Sequence, residues 1–322
     1  MHRNTAVSKT DNTKNTAMPR GYNTPGTDHT PSLLELAPLP APVGFEDATG
    51  PLPHRMTNDA MFHIVFEACP GALKAFVGAL LHLRPGEITS IEVTNPVEYG
   101  INAYSKNYVL DLKIILNGST ILDIELQVES LGFWKERSLA YLCRIFDDLN
   151  RGDEYIDIRP AIQVGILDFH LAPSDTKFYS NYYMMDEEEP HKKYSDKLLL
   201  IVLQLKQEAN ATGEDRKWHL DLWAKFFRAE TWEEVFMVAE RDLYIENAAK
   251  TLYRACADER IRDLCYGRER GEKTLRSLQL ELQRQKEEAR QELQQKDDII
   301  QQTQEEITRL RAELDTLKQQ RK

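Results

Sequence analysis

The stretch NYVLDLKIILNGSTILDIELQVES, residues 107–130, decides the fold class of this chain. Asn117-Gly118 stands between two runs rich in Ile, Leu and Val, and this dipeptide between β-forming runs is the strongest short-range signal for a hairpin. Residues 109–116 and 121–128 are therefore predicted to be two antiparallel strands joined by a tight turn.

Helices and strands are predicted to alternate on both sides of this hairpin. Before it, Thr57 or Asn58 is expected to cap a first helix, and Pro70-Gly71 separates that helix from a second one. The remaining predicted elements are, in order, the second helix over about 72–83, a strand over 88–95, and, after the hairpin, a helix over about 133–150, a strand over about 161–170, two strands within 178–207 and helices up to residue 267. This order predicts an α/β fold with a mixed central sheet flanked by helices.

The two ends of the chain differ in composition from this middle part. Residues 1–44 are rich in Thr, Asn, Pro and Gly and show no sustained period, which predicts a disordered leader. From about Gly271 onward proline and aromatic residues are absent, and Gln, Glu, Lys and Arg dominate. We therefore expect a leader over 1–44, one folded domain over 45–266 and a coiled coil over 267–322.

Apolar residues in the C-terminal tail repeat with heptad spacing over about six heptads, which predicts a coiled-coil helix. The seam, as we call the residues on the two apolar heptad positions, consists of Leu275, Leu282, Ala289, Leu310 and Leu317 on one position and Leu293, Ile300, Ile307 and Leu314 on the other. β-Branched residues on one position with Leu on the other favour a parallel dimer. A homodimer through 275–317 is expected, and a single long solvated helix is the alternative.

Charge and cysteine usage limit the classes of partner and compartment. The formal net charge of −11 disfavours tight, non-specific DNA binding by the protein alone, because such affinity comes from neutralising phosphates. The four cysteines form no CxxC pair and have no zinc-type spacing, so reduced thiols in the cytoplasm are expected. No apolar run approaches the roughly 18 residues that span a bilayer, and the N-terminus lacks a signal-peptide core, so no membrane association is expected.

The hairpin carries charged side chains where the interior of a sheet should be apolar. Asp111 and Lys113 are two residues apart and share one face of the first strand, as Asp123, Glu125 and Gln127 do on the second. Across a tight hairpin these faces coincide, so Asp111, Glu125 and Gln127 are predicted to converge. Two carboxylates with an amide or carbonyl oxygen form an ordinary Mg²⁺ site. The alternative is a polar face in contact with water, which an antiparallel pair often has.

Short motifs in a fixed order resemble those of the PD-(D/E)XK nuclease family transposases, which include recombination-promoting nucleases found beside mobile elements. The motifs are T-N-D at 57–59 with F and V-F after it, D-x-K at 111–113, the hairpin, I-E-L-Q at 124–127, F-W-K-E-R-S-L-A-Y at 133–141, R-G-D-E-Y at 151–155 and a strand led by Pro160. The resemblance covers about residues 55–230. It implies a restriction-endonuclease-like core and metal-dependent cleavage of DNA.

The same resemblance assigns roles to the charged residues of the hairpin. Asp111 and Glu125 would be the two metal ligands, with Mg²⁺ as the cofactor and Mn²⁺ as a substitute. Gln127 stands where the wider superfamily has a lysine, and it would orient water or substrate, because an amide is neither a base nor a cation. Lys113 would supply the missing positive charge, unless it is a strand lysine that points to solvent.

Three further residues are auxiliary candidates. Asp59, at the start of the first helix, is either an auxiliary acid or a residue placed to stabilise the helix N-terminus. Arg137 and Tyr141 are four residues apart and share a helix face, from which they would either contact phosphate or brace the site. The expected function is a Mg²⁺-dependent DNA endonuclease. The alternative is a catalytically idle nuclease fold that acts as a scaffold through its coiled coil.

Overall fold

A computed structural model of the protein describes residues 44–94, 97–98, 108–109, 111–130, 132–149 and 152–320. The predicted leader over 1–44 lies outside these residues, apart from Gly44, and it stays a prediction. The elements of the described part are, in chain order, α1 (Asp59–Ala68), α2 (Pro70–Leu81), β1 (Ile91–Val93), β2 (Val97–Glu98), β3 (Tyr108–Val109), β4 (Leu112–Leu116), β5 (Thr120–Gln127), α3 (Trp134–Phe146), β6 (Ala161–Leu167), β7 (Tyr179–Tyr182), β8 (Leu198–Gln204), α4 (Gly213–Lys217), α5 (Leu220–Arg228), α6 (Trp232–Ala239), α7 (Leu243–Ala257) and α8 (Glu259–Gln320).

A mixed six-stranded sheet forms the centre of the fold, in the order β1-β4-β5-β6-β8-β7. The three central strands, β5, β6 and β8, run parallel to one another, and the outer pairings are antiparallel. Because the central strands are parallel, their carboxyl ends lie at one edge of the sheet. With helices flanking the sheet, this arrangement confirms the predicted α/β class.

The Asn-Gly hairpin is confirmed, but its first strand is shorter than predicted. Asn117 and Gly118 have φ angles of 52° and 70°, the left-handed values that a tight hairpin turn requires. The ladder between β4 and β5 ends at the pair Leu112–Ile124, so Asp111 precedes the strand instead of lying within it. Val109, which the prediction places in the same strand, pairs together with Tyr108 against β2 in a separate two-stranded sheet.

Several predicted boundaries shift for local reasons. The second helix begins at Pro70 instead of about residue 72, because proline at the first helical position loses no hydrogen bond there. The helix predicted over 133–150 ends at Phe146, and the strand predicted over 161–170 ends at Leu167. The expected cap is confirmed, since the Asn58 side chain accepts a hydrogen bond from the Met61 amide at 3.2 Å.

The helix α3 packs on the face of the sheet that carries the odd-numbered residues of β5. Ile121 and Ala161 on that face form a buried cluster with Tyr141, Leu142 and Ile145 of α3. The opposite face is also buried. Its side chains have exposed fractions close to zero, as seen at Leu122, Ile124, Val164 and Ile201. The central strands are therefore covered on both faces, and a charged side chain on β5 is removed from water whichever way it points.

Near the carboxyl end of β6, α3 approaches the sheet most closely at Gly165. A β-carbon at this position would lie 2.2 Å from Cζ2 of Trp134, far inside the contact distance. Gly165 is the register partner of Glu125 on β5. The contact between Gly165 and Trp134 therefore sets how α3 lies beside Glu125.

The C-terminal helix α8 is continuous over 62 residues, about 93 Å at the usual rise per residue. Its first turns belong to the core, because Ile261 and Cys265 are fully buried. The described seam side chains further along are exposed, with Ile300 at 53% and Ile307 at 44%. Within the described residues no single helix is long and apolar enough to cross a membrane, although α1 and α2, bent by 108°, would pass that test as a pair.

Replacing Gly165 with alanine is expected to lower the free energy of unfolding by about 1–3 kcal/mol, because overpacking forces the rigid Trp134 ring to move. Urea denaturation would measure the loss. Gly213→Ala is a matched control, since a β-carbon there meets no atom within 4 Å. Equal unfolding midpoints for the two variants would contradict the close contact at Gly165.

Candidate active site

The candidate site lies at the sheet edge where β5 ends and β4 begins. There Asp111 makes two hydrogen bonds, one with Glu125 and one with Leu126, in place of the next step of the strand ladder. The Asp111 amide donates to Oε1 of Glu125 at 2.9 Å, and the Leu126 amide donates to Oδ2 of Asp111 at 2.8 Å. Asp111 leaves the strand because these side-chain acceptors take the place of backbone carbonyls.

Arg137 of α3 binds both of the polar residues that end β5. Its guanidinium donates to Oε2 of Glu125 at 2.7 Å and to Oε1 of Gln127 at 3.0 Å. The same guanidinium lies 4.9 Å from the ring centroid of Tyr141, a cation–π contact. Arg137 and Tyr141 therefore brace the site. Asp111 and Glu125 are in direct contact as predicted, and Gln127 is linked to Glu125 through Arg137.

Two residues of α1 complete a cluster of metal-ligand groups around Asp111. Asp59, His63 and Asp111 each offer one ligand atom, and these atoms lie within 4.8 Å of one another. Asn58 supplies the helix cap, and Asp59 lies in the first turn of α1, where its charge also favours the helix N-terminus. Its carboxylate lies 3.6 Å from Nε2 of His63, one helical turn away.

A second polar layer lies directly beneath Glu125 on the same face of the sheet. Lys113, Asp123 and Gln163 are register partners on β4, β5 and β6. Asp123 and Gln163 are fully buried, and neither carboxylate oxygen of Asp123 has a well-formed hydrogen bond among the described residues. Lys113 therefore stands opposite Asp123, instead of beside the two predicted metal ligands.

Burial and mutual repulsion raise the pKa values of the three carboxyl groups. Desolvation first, and then the charges of Glu125 and Asp59, hold the pKa of Asp111 well above its ordinary value. Desolvation and the charge of Asp111 do the same for the pKa of Asp123. Desolvation and the charge of Asp123 raise the pKa of Glu125 to about 8, against the opposing effect of Arg137.

The donor set fits a divalent cation. Carboxylate oxygens are the preferred ligands of Mg²⁺ and Mn²⁺, and imidazole adds affinity for Mn²⁺. Burial lowers the pKa of His63, and the charge of Arg268 adds to this effect, although Asp59 opposes it. The neutral imidazole that metal binding requires is therefore favoured. Glu125 is not one of the three residues of this ligand cluster, and its two carboxylate oxygens accept hydrogen bonds from the Asp111 amide and from Arg137.

Sequence reasoning brought together Asp111, Glu125, Gln127, Arg137 and Tyr141. It missed His63, and it missed that the Asp123 side chain is fully buried. Asp59 and His63 are four residues apart on α1, and this spacing was the available signal for a shared face. The sequence has no HxH or HExxH pattern, and those patterns do not reveal a single histidine that lies beside two aspartates. Asp123 alternates with Glu125, but the sequence does not show that α3 covers this face and removes it from water.

Comparison with protein families agrees with the fold of the chain. The family model described as PD-(D/E)XK nuclease family transposase matches residues 56–277, about two thirds of the chain. The chain belongs to this family. The comparisons with curated proteins and with solved structures gave no match. Membership in the PD-(D/E)XK nuclease family transposases confirms the predicted resemblance and indicates a nuclease or transposase type of function, with DNA as the implied partner.

The stability of the metal-free protein is expected to fall as the pH rises from about 4.5 to about 8. Folding raises the pKa of Glu125 from 4.5 to about 8, so the folded state binds more protons than the unfolded state in this window, and each such proton contributes a slope of up to about 1.4 kcal/mol per pH unit. Glu125→Gln should flatten the curve. Urea denaturation at a series of pH values in EDTA would test this, and parallel curves would contradict it.

Proposed function

We propose that the protein is a metal-dependent DNA endonuclease that uses Mg²⁺, with Mn²⁺ as a substitute, to hydrolyse phosphodiester bonds during transposon-associated recombination. The observation that carries the proposal is the pairing of Asp111 with Glu125 at the end of β5, beside Asp59 and His63. Family membership supports the same reaction class. We also infer a cytoplasmic location, which the four free cysteines support.

Asp111 and Glu125 would hold the cation, and Asp59 and His63 are placed to add ligands to it. A bound divalent cation supplies a Lewis acid that lowers the pKa of a water and stabilises charge on a phosphate. Arg137 holds the Glu125 carboxylate and the Gln127 amide together by donating a hydrogen bond to each. The Gln127 side-chain amide nitrogen donates a hydrogen bond to the Glu129 carbonyl oxygen at 3.1 Å. Gln127 would therefore act by its position and not by proton transfer.

Plasmid cleavage tests the proposal. Purified protein is expected to nick plasmid DNA in Mg²⁺ or Mn²⁺ and not in EDTA. Asp111→Ala and Glu125→Ala should each lower the rate by at least about 100-fold, because several kcal/mol of charge stabilisation is lost with the metal. Glu136→Ala, which removes an exposed carboxylate of α3, should leave the rate unchanged.

A second readout separates loss of the site from loss of the fold. Mn²⁺ is expected to raise the melting temperature of the original chain and of Glu136→Ala, because a ligand that binds the folded state stabilises it. The two site variants should not respond. Absence of cleavage with every metal would overturn the nuclease proposal and favour the scaffold alternative.

We further propose that two copies of the chain pair through α8. The described seam residues are exposed along one stripe of a helix that extends beyond the packed domain. None of the residues that the structure describes covers this stripe, and heptad spacing matches it to a second copy of itself. A dimer would bring two active sites to the two strands of one duplex.

Light scattering coupled to gel filtration is expected to give twice the mass of one chain. Replacing Ile300 and Ile307 with lysine should convert the dimer to a monomer, because charges on the seam oppose knobs-into-holes packing. Gln301→Lys with Thr308→Lys adds the same charge away from the seam. A monomer for the unchanged chain, or a monomer for the control pair, would contradict the assignment of the seam.

A further inference from the structure

The first turns of α8 place an arginine beside the candidate site. Nε of Arg268 lies 3.8 Å from Oδ2 of Asp59, and Asp59 shares its ligand cluster with His63 and Asp111. The Arg268 side chain is 49% exposed. Its guanidinium therefore borders the carboxylates on one side and is open to solvent on the other.

Packing fixes this arginine relative to the start of α1. Cys265, one turn earlier, is fully buried, and its carbonyl accepts a hydrogen bond from the Asn58 side chain at 3.4 Å. Glu269, the next residue, accepts from the same Asn58 side chain at 3.2 Å and lies 2.9 Å from Nδ1 of the buried His54. Asn58 also caps α1, so one residue ties the backbone of α8 to the helix that carries Asp59 and His63.

The contact between Arg268 and Asp59 leaves the arginine able to bind another anion. A separation of 3.8 Å is too long for a hydrogen bond, and a guanidinium has five donors arranged to bind a phosphate through two parallel bonds. Eight residues further along α8, or about 12 Å, Arg276 lies 2.9 Å from Oε1 of Glu129, which follows β5. The helix therefore passes along the site from α1 to the loop after β5.

We propose that this segment of α8 forms one wall of the DNA-binding cleft and that Arg268 binds a backbone phosphate of the strand presented to Asp111 and Glu125. The inference rests on the proposed nuclease function and adds a substrate-binding residue to it. A cluster of carboxylates repels a polyanion, and a cation anchored at its border offsets that repulsion where the phosphate must enter. The family match, which ends at residue 277, includes this whole segment.

Salt-dependent binding of a labelled DNA duplex, measured by fluorescence anisotropy in Ca²⁺, tests the proposal. For Arg268→Gln the slope of log affinity against log salt should become shallower by about one, because one phosphate contact is lost. Affinity should fall about tenfold at low salt, as expected for a charge-assisted contact. Arg268→Lys should keep the slope of the original chain, because it keeps the charge.

Arg270→Gln is the matched control. It removes the same charge from an exposed position two residues away, about 200° around the helix, and its slope should not change. A melting temperature for Arg268→Gln equal to that of the control would show that the fold is intact. If Arg268→Gln and Arg270→Gln bind the duplex with equal slopes, the proposal is overturned.

The two proposals fail in distinguishable ways. Plasmid cleavage that depends on Asp111, with a binding slope that does not depend on Arg268, would keep the nuclease and overturn the role of Arg268. Duplex binding that depends on Arg268, without cleavage in any metal, would keep Arg268 as a DNA contact and overturn the nuclease. An unchanged chain that neither binds nor cleaves DNA would overturn both.

Discussion

Three carboxylates on and beside β5 are the constraint around which this fold is arranged. Asp123 and Glu125 lie on a sheet face that α3 covers, and Asp111 lies against Glu125. Burying an isolated carboxylate costs far more free energy than one hydrogen bond returns. The guanidinium of Arg137 offsets part of that cost, and burial is the largest cause of the raised pKa values of the three acids. A divalent cation would bring the remaining positive charge to the same place.

The path of the chain around the site follows from that arrangement. The Glu125 carboxylate accepts from the Asp111 amide, and the Asp111 carboxylate accepts from the Leu126 amide. The β4 ladder therefore stops just before Asp111. Tyr108 and Val109 join a separate two-stranded sheet instead. On the other side, Gly165 lets Trp134 approach β6, and this close contact brings Arg137 of the same helix to Glu125. Strand pairing is thus interrupted at Asp111, and a residue without a side chain stands at Gly165, next to the polar residues of the site.

The sequence predicts those parts of the structure that depend on local chemistry. Asn117-Gly118 encodes the hairpin, and the alternation of Asp123, Glu125 and Gln127 encodes a shared face. The four-residue spacing of Arg137 and Tyr141 encodes a shared face of α3. What the sequence does not show is which remote element approaches each face. Asp59 and His63 reach Asp111 across about fifty residues of chain, and only the packing of α1 brings them there. For the same reason a polar face in contact with water could not be distinguished from a face covered by α3.

The long helix α8 joins the site and the seam in one rigid element. It begins in the core at Ile261, passes the site at Arg268 and reaches the seam residue Leu282 about 21 Å further on. Since no break in the helix separates these points, pairing along the seam would also set the distance between two active sites. Parallel pairing keeps both sites at the same end of the coiled coil. Antiparallel pairing would place them at opposite ends of a seam about 60 Å long, too far apart to act on neighbouring phosphates of one duplex. In the proposed dimer, the β-branched residues Ile300 and Ile307, which favour parallel pairing, would therefore bear on how two strands are cut as well as on how two chains associate.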